Sequence, residues 1–199
     1  MWFIHDDKNY QVADKVYWHD KVLAATILKL FPRAIKPNHL TMFRFLATPL
    51  VVIFMAIDSY QIGLWSFLIV AFTDALDGSM ARTRNQITNW GKIYDPLADK
   101  LLIGSIIFAI VLRYIDFWAA MIIIALEIII IASAWWRKHN HYPVEANIWG
   151  KIKMNLQVLG VVILLFSIIF NVEQLFPFTA GVFYLAIAFA VVSLLTYGI

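Results

Sequence analysis

Long, nearly uninterrupted apolar runs constrain this chain more than any other feature of its sequence. Of its 199 residues, 62% are hydrophobic, whereas a soluble domain is usually nearer half apolar. A soluble helix carries polar residues on its outer face at every turn, and these runs do not. Because a run of about 20 residues crosses the hydrocarbon core of a bilayer, the sequence predicts an all-α integral membrane protein. Six transmembrane helices are predicted, at residues 39–57, 62–82, 92–114, 117–136, 153–170 and 175–197.

Three connections between the predicted spans are very short. They lie around Asp58 to Gln61, Arg113 to Asp116 and Asn171 to Gln174, and they predict tight hairpins of antiparallel helices. The spans form one predicted membrane domain, residues 37–199, which follows a mixed and charged segment, residues 1–36. We see no cleavable signal peptide in that segment, so we expect the first span to act as its own insertion signal.

The N-terminal segment predicts an amphipathic helix from Asp14 to Phe31, lying in the membrane interface until Pro32 and Pro37 break it. A short soluble lead-in helix is the alternative. The predicted apolar face consists of Val16, Leu23, Ile27, Leu30 and Phe31, and the other face carries Lys15, Asp20, Lys21 and Lys29.

The basic residues predict the orientation of the chain. Of the 16 lysines and arginines, only Arg113 falls outside the N-terminal segment and the flanks of the second and fourth connections. Basic residues concentrate on the cytoplasmic side, so both termini should face the cytoplasm, as for a multi-pass protein of the cell (inner or plasma) membrane.

No basic face is free of lipid, which argues against nucleic-acid binding. The chain has no cysteine, which excludes disulfides and thiolate metal sites.

Four aspartates are the most informative polar residues. Asp74 and Asp77 lie three residues apart at the cytoplasmic end of the second span, and Asp95 and Asp99 lie four apart at the start of the third. Each spacing places two carboxylates on one helix face, and the connection makes the two helices antiparallel neighbours. Solvated helix-end charges are the alternative. Four converging carboxylates are costly unless compensated, and all-oxygen ligands favour Mg²⁺ or Mn²⁺. The pattern predicts two such ions, arranged for displacement at phosphorus.

Small residues accompany the aspartates. Gly78 and Ala81 share the helix face of Asp74 and Asp77, and Gly91 precedes Asp95 by four residues. Small residues in membrane helices also serve helix packing, but beside carboxylates they favour an open notch for a nucleotide. Arg82, one turn past Gly78, is predicted to clamp a diphosphate, its alternative role being a cytoplasmic anchor.

This stretch resembles the motif of the CDP-alcohol phosphotransferase family. The resemblance rests on eight residues in fixed spacing: Asp74, Asp77, Gly78, Ala81, Arg82, Gly91, Asp95 and Asp99. A second group, Pro37, Asn38, Thr41 and Arg44, resembles the segment that opens the first span in this family. A third group, Gly150, Lys151, Lys153 and Gln157, resembles the start of the fifth span in its phosphatidylglycerophosphate synthase branch, as does the run from Asp95 to Lys100.

The resemblance implies a function and residue roles. Family members have six spans, form homodimers and transfer a substituted phosphate from a CDP-linked donor to an alcohol, with release of CMP. It implies that Asp99 is the general base. The metal ligands would be Asp74, Asp77, Asp95 and Asp99, and the CDP site would include Asn38, Thr41, Asp77, Gly78, Ala81, Arg82 and Gly91.

The branch implies CDP-diacylglycerol as donor and glycerol 3-phosphate as acceptor. In that branch an arginine usually precedes a glutamate in the fourth span, whereas this chain has Leu126 before Glu127. Basic residues predicted to bind the acceptor instead are Lys92, Arg137, Lys151 and Lys153, with Lys138 as a further source of charge. Alternative acceptors are phosphatidylglycerol, inositol phosphate and serine. A cation transporter, with carboxylates near the midplane, and a scaffold without activity are the alternatives outside this chemistry.

Overall fold

A computed structural model of the chain describes residues 16–32, 34–140 and 148–197. These residues are helical and contain no strand. A short helix α1 (Trp18–Ala25) is followed by a 3₁₀ turn (Ile27–Leu30). The later helices are α2 (Pro37–Ala56), α3 (Tyr60–Thr83), α4 (Asn89–Ile106), α5 (Leu112–Tyr114), α6 (Phe117–His139), α7 (Ile148–Phe170) and α8 (Leu175–Tyr197). A π-helical segment, Ile107–Val111, joins α4 to α5.

Five of the helices in the described ranges are long and apolar enough to cross a membrane, namely α2, α3, α6, α7 and α8. Only 22 to 39% of each apolar window is buried within the protein, so large apolar side chains such as Leu46, Trp65 and Ile128 face outward. Extended outward apolar surface is expected where lipid replaces water. The third predicted span, which begins in α4, is not apolar enough by the same criterion, because α4 carries Lys92, Asp95, Asp99 and Lys100.

The three short connections predicted from the sequence are confirmed by the helix ends. Two to four residues separate α2 from α3, α5 from α6 and α7 from α8. Asp58 and Asn171, with Asn85 at the end of α3, adopt the left-handed conformation at φ 60°, 53° and 52°. Aspartate and asparagine tolerate this conformation better than most residues, and it ends a helix sharply. At each end the next amide donates back five residues, to Phe54, Ser167 and Ala81 respectively, which satisfies a carbonyl that the helix leaves unpaired.

The chain divides into two compact units. One consists of Met1–Pro49 and Phe67–Asp99, and the other of Leu50–Ser66 and Lys100–Ile199. In the first unit, a core cluster of Leu28, Leu40, Leu76 and Met80 lies under the N-terminal segment. In the second, α7 packs against α8, where Gly160 lies against the fully buried ring of Phe183.

The N-terminal segment differs in part from its predicted amphipathic helix. Asp14 and Lys15 lie outside the described residues, and the helix ends at Ala25 rather than continuing to Phe31. Among the described side chains of this segment, Leu28 and Asp20 are buried, whereas Leu30, assigned to the apolar face, is 81% exposed. The change of helix type at Ile27–Leu30 rotates the later side chains, and Asp20 is buried because it has charged and polar partners. Leu23, Ile27 and Phe31, three residues of the predicted apolar face, pack against the core cluster of the protein.

We predict that Gly160→Ala destabilises the protein by about 1–3 kcal/mol, since its methyl group overpacks the α7–α8 contact. The new Cβ would lie 2.9 Å from the Phe183 ring. Gly181→Ala is the matched control, because no atom lies within 4 Å of its Cβ position. Thermal unfolding in detergent measures both. Equal melting temperatures for the two variants would contradict this packing.

Candidate functional site

The carboxylates of the predicted site lie on two helices of the first unit. Asp74 and Asp77 are on α3, and Asp95 and Asp99 are on α4. Asp77 is 2% exposed and Asp99 13%, whereas Asp74 is 44% exposed. The group therefore has a buried side and a side open to its surroundings.

Arg44 of α2 is the cation that gathers three of these carboxylates. Its side chain is fully buried. Nη1 lies 2.7 Å from Asp99 Oδ1 and 3.2 Å from Asp74 Oδ1, and Nη2 lies 2.7 Å from Asp77 Oδ2. Nε donates to the Thr73 hydroxyl at 3.4 Å. A buried guanidinium is tolerated when its donors are all engaged and its charge is compensated, and here one fork joins α2, α3 and α4.

The fourth carboxylate, Asp95, lies beside a group of hydrogen-bonded polar residues on α2 and at the start of α4. Thr41, fully buried on α2, donates its hydroxyl to Asp95 Oδ1 at 2.5 Å. Gly91 donates its amide to the Thr88 hydroxyl at 3.0 Å, and that hydroxyl donates to Asn38 Oδ1 at 2.9 Å. A Cβ on Gly91 would lie 3.1 Å from Asp95, 3.2 Å from Thr88 and 3.5 Å from Asn38. Only a residue without a side chain fits there without displacing its neighbours.

Arg82 is engaged by the N-terminal helix. Its Nε and Nη2 each donate at 2.8 Å to the carboxylate of Asp20, and its guanidinium lies 5.9 Å from the centre of the Tyr17 ring. Arg82 also lies over Gly78, the Cβ position of which is 3.4 Å from both terminal nitrogens. Ala81, the remaining small residue of the predicted notch, is partly buried.

Asp20 is held as a carboxylate by these contacts. Hydrogen bonds from Arg82 chiefly, and then from the Ser79 hydroxyl and the Tyr17 amide, keep its pKa well below the usual range, against the opposing effect of burial. It therefore stays ionised at any pH near neutrality.

The described residues predicted to bind the acceptor differ in their burial and their partners. Lys151 is exposed, and Arg137 lies at the end of α6. Lys153 is 4% exposed, and it pairs with Glu127 Oε1, which also accepts from Gln157 Nε2 at 3.1 Å. Lys100 interacts electrostatically with both Glu127 and Lys153. The side chains of Lys92 and Lys138 lie outside the described residues.

Sequence reasoning missed several of these partners. The sequence places Arg44 among the cytoplasmic basic residues and in the group that resembles the start of the first span, but no partner is predicted for it, although a basic residue inside an apolar helix requires an acidic partner. Lys153 as the partner of Glu127 was also not predicted. Asp20 gave no signal, because nothing in its local spacing distinguishes it from a solvated helix charge.

Within the described ranges, no three acidic or histidine side chains are arranged as a metal site. Asp74, Asp77 and Asp99 lie around the guanidinium of Arg44 instead. In chemical type they are hard oxygen donors, the type that Mg²⁺ and Mn²⁺ prefer.

These features define a helical membrane protein with a polar centre in which a buried arginine binds carboxylates of two further helices. Residues 34–193 match the CDP-alcohol phosphatidyltransferase family, and the chain belongs to that family.

Three relatives carry the name CDP-diacylglycerol–glycerol-3-phosphate 3-phosphatidyltransferase. The protein of Bacillus subtilis is 32% identical over 176 residues, covering 79% of this chain and 90% of the relative. That of Haemophilus influenzae is 36% identical over 132 residues, covering 62% and 71%. That of Mycoplasma pneumoniae is 28% identical over 174 residues, covering 76% of each.

We predict that Arg44→Gln destabilises the metal-free protein by about 3–5 kcal/mol, because it leaves buried carboxylates without their counter-charge. Unfolding in detergent with a chelator measures the loss. Arg113→Gln is the control, since Arg113 pairs with Asp58 where both side chains are about half exposed, and such pairs contribute at most about 1 kcal/mol. Similar losses in both variants would contradict the organising role of Arg44.

Proposed function

We propose that this protein transfers the phosphatidyl group of CDP-diacylglycerol to glycerol 3-phosphate, forming phosphatidylglycerophosphate and releasing CMP. The observation that carries the proposal is the convergence of Asp74, Asp77 and Asp99 on one buried guanidinium, in a chain whose family performs CDP-dependent phosphatidyl transfer. The relatives' shared name supports glycerol 3-phosphate as the acceptor.

The donor set of the site fits divalent metal ions. Four carboxylates against the one guanidinium of Arg44 leave a net negative charge, which further cations would compensate. Asp74, Asp77, Asp95 and Asp99 are the residues that would hold two Mg²⁺ or Mn²⁺ ions. Bound there, such ions would offset charge on the donor diphosphate and on the departing CMP oxygen.

The residues around the carboxylates supply the remaining requirements of the reaction. Asp99 accepts the proton of the acceptor hydroxyl as that oxygen forms a bond to the lipid-bearing phosphorus, and the bond from phosphorus to the CMP oxygen breaks. Arg82 compensates negative charge on the diphosphate. Phosphoryl-type transfer depends mainly on positioning and charge stabilisation, so no covalent enzyme intermediate is required.

The nucleotide is assigned to the hydrogen-bonded polar residues around Asp95. Gly91 is kept free of a side chain between Asn38, Thr88 and Asp95, and Thr41 fixes the carboxylate of Asp95. Hydroxyl, amide and carboxylate groups of this kind can recognise a ribose and a pyrimidine edge. Gly78 and Ala81 complete the small-residue face of α3.

The acceptor carries a phosphate and requires positive charge. In the second unit, Lys100 and Lys153 interact with the single carboxylate of Glu127, so this group retains an excess of positive charge. Lys92, Arg137 and Lys151 remain further candidates for acceptor binding.

The proposal is tested by CMP release from the purified protein in detergent with CDP-diacylglycerol and Mg²⁺. Glycerol 3-phosphate, inositol 1-phosphate, serine and phosphatidylglycerol are supplied one at a time, and the lipid product is identified by mass spectrometry. We expect turnover with glycerol 3-phosphate and none above background with the others. Turnover with a different acceptor alone would replace the acceptor assignment, and turnover with none would reject the function.

Asp99→Asn provides the mechanistic control for this assay. Turnover should fall by roughly 10²–10⁴-fold, the usual scale of general-base catalysis, while CDP-diacylglycerol still binds. Asp58→Asn changes an aspartate that is about half exposed and paired with Arg113, and it should keep full activity. Undiminished turnover in Asp99→Asn would remove Asp99 as the base.

We also propose six membrane crossings with both termini in the cytoplasm, the third crossing being formed by α4, the π-helical segment and α5. The charged first half of α4 would then lie toward the cytoplasmic surface. A homodimer in the cell membrane is part of the same proposal, and light scattering of the detergent complex measures it.

The absence of cysteine makes the topology directly testable with single introduced cysteines. Six crossings predict that N140C is labelled only from the cytoplasmic side and N171C only from the opposite side. Five crossings, with α4 outside the bilayer, exchange those two results. S59C lies on the non-cytoplasmic side in either case and serves as the reference.

A further inference from the structure

Asp20 combines complete burial with a full set of hydrogen bonds. Its Oδ1 accepts from the Ser79 hydroxyl at 2.5 Å and from Arg82 Nη2 at 2.8 Å. Its Oδ2 accepts from Arg82 Nε at 2.8 Å and from the Tyr17 amide at 2.9 Å. The side chain is 0% exposed, so its negative charge is stabilised by these partners and not by water.

The same contacts fix one edge of the Arg82 guanidinium. Nε and Nη2 face Asp20 in a bidentate pair, which holds a guanidinium plane more firmly than a single hydrogen bond does. Nη1 is the nitrogen that Asp20 does not engage, and the Arg82 side chain remains 25% exposed. Arg82 lies on the helix face of Asp74 and Gly78, since the three residues are spaced four apart on α3.

Docking of the N-terminal segment does not depend on this ion pair alone. Leu28 packs in the core cluster with Leu40, Leu76 and Met80, and Arg84 donates to the carbonyls of Leu28 and Phe31 at 2.9 Å each. Apolar contacts hold a segment in place at lower desolvation cost than a buried ion pair. Apolar packing therefore docks the segment, whereas the carboxylate of Asp20 orients the guanidinium of Arg82.

We propose that Asp20 is a positioning residue for the CDP-linked donor, which holds Arg82 with Nη1 available to the donor's diphosphate. This inference rests on the proposed function, and it extends the site to the N-terminal helix, which precedes the family match at residues 34–193. Asp20 makes no contact with substrate in this account and acts only through Arg82.

The test compares Asp20→Asn with Leu28→Ala. Asp20→Asn removes the charge that orients Arg82, whereas Leu28→Ala loosens the same segment without touching the ion pair. We expect Asp20→Asn to raise KM for CDP-diacylglycerol about 10- to 100-fold, by analogy with the loss when a residue that orients a metal ligand is removed, with little change in kcat. Leu28→Ala should lower the melting temperature while KM stays within about threefold of wild type.

A binding measurement separates this inference from the proposed function. Calorimetric titration with CDP and Mg²⁺ requires no acceptor and no turnover, so it compares wild type, Asp20→Asn and Leu28→Ala even if the acceptor assignment fails. Weaker CDP binding in Asp20→Asn alone supports the positioning role. Equal weakening in both variants, or tighter binding in Asp20→Asn, overturns it.

Ser79→Ala keeps the test decisive if Asp20→Asn does not fold. It removes one of the hydrogen bonds to Asp20 but leaves its charge and the Arg82 pair. We expect a smaller rise in KM for the donor, about two- to fivefold, in the same direction. An unchanged KM in Ser79→Ala, with a melting temperature as low as that of Leu28→Ala, would assign Asp20 to docking only.

Discussion

The buried guanidinium of Arg44 is the interaction on which the rest of the polar centre depends. Asp77 and Asp99 are carboxylates that membrane helices bury only with compensation, and Arg44 compensates both with hydrogen bonds of 2.7 Å. Because these three residues come from α3, α4 and α2, the charges also determine how those helices meet within the first unit. The residues proposed for chemistry are thus also the residues that join the helices.

Two other carboxylates are likewise paired with a cation from a distant part of the chain. Asp20 is balanced by Arg82 in the first unit, and Glu127 by Lys153 in the second. Each pair joins elements that are distant in sequence. In lipid, apolar surfaces alone specify little about which helices pair, so a few charged contacts can determine the arrangement. A site that binds an anionic diphosphate needs fixed charges in any case, which lets one set of residues serve structure and binding.

The sequence predicts the helices well because lipid imposes a simple rule on them, namely long apolar runs separated by short polar turns. The hairpins at Asp58 and Asn171 follow from that rule. The aspartate spacing on α3 and α4 is likewise readable, since three- and four-residue intervals define a helix face. The partners of these charges were not readable in the same way. Arg44 lies 30 or more residues from its carboxylates along the chain, and Asp20 lies 62 residues from Arg82, so only the folded chain brings them together. The 3₁₀ turn at Ile27–Leu30 similarly changes which N-terminal residues are buried. The spacing of apolar residues in the sequence does not reveal this change of helix type.

In the proposed function, the aspartate centre binds a divalent metal together with the donor diphosphate. Electron–nuclear double resonance of Mn²⁺ in the purified wild-type protein, recorded for ³¹P before and after addition of CDP-diacylglycerol, tests it most directly. We expect protein-bound Mn²⁺ that gains ³¹P coupling when the donor is added, and loss of that bound signal in Asp77→Asn. Absence of bound Mn²⁺, or bound Mn²⁺ that shows no ³¹P coupling with saturating donor, would contradict it.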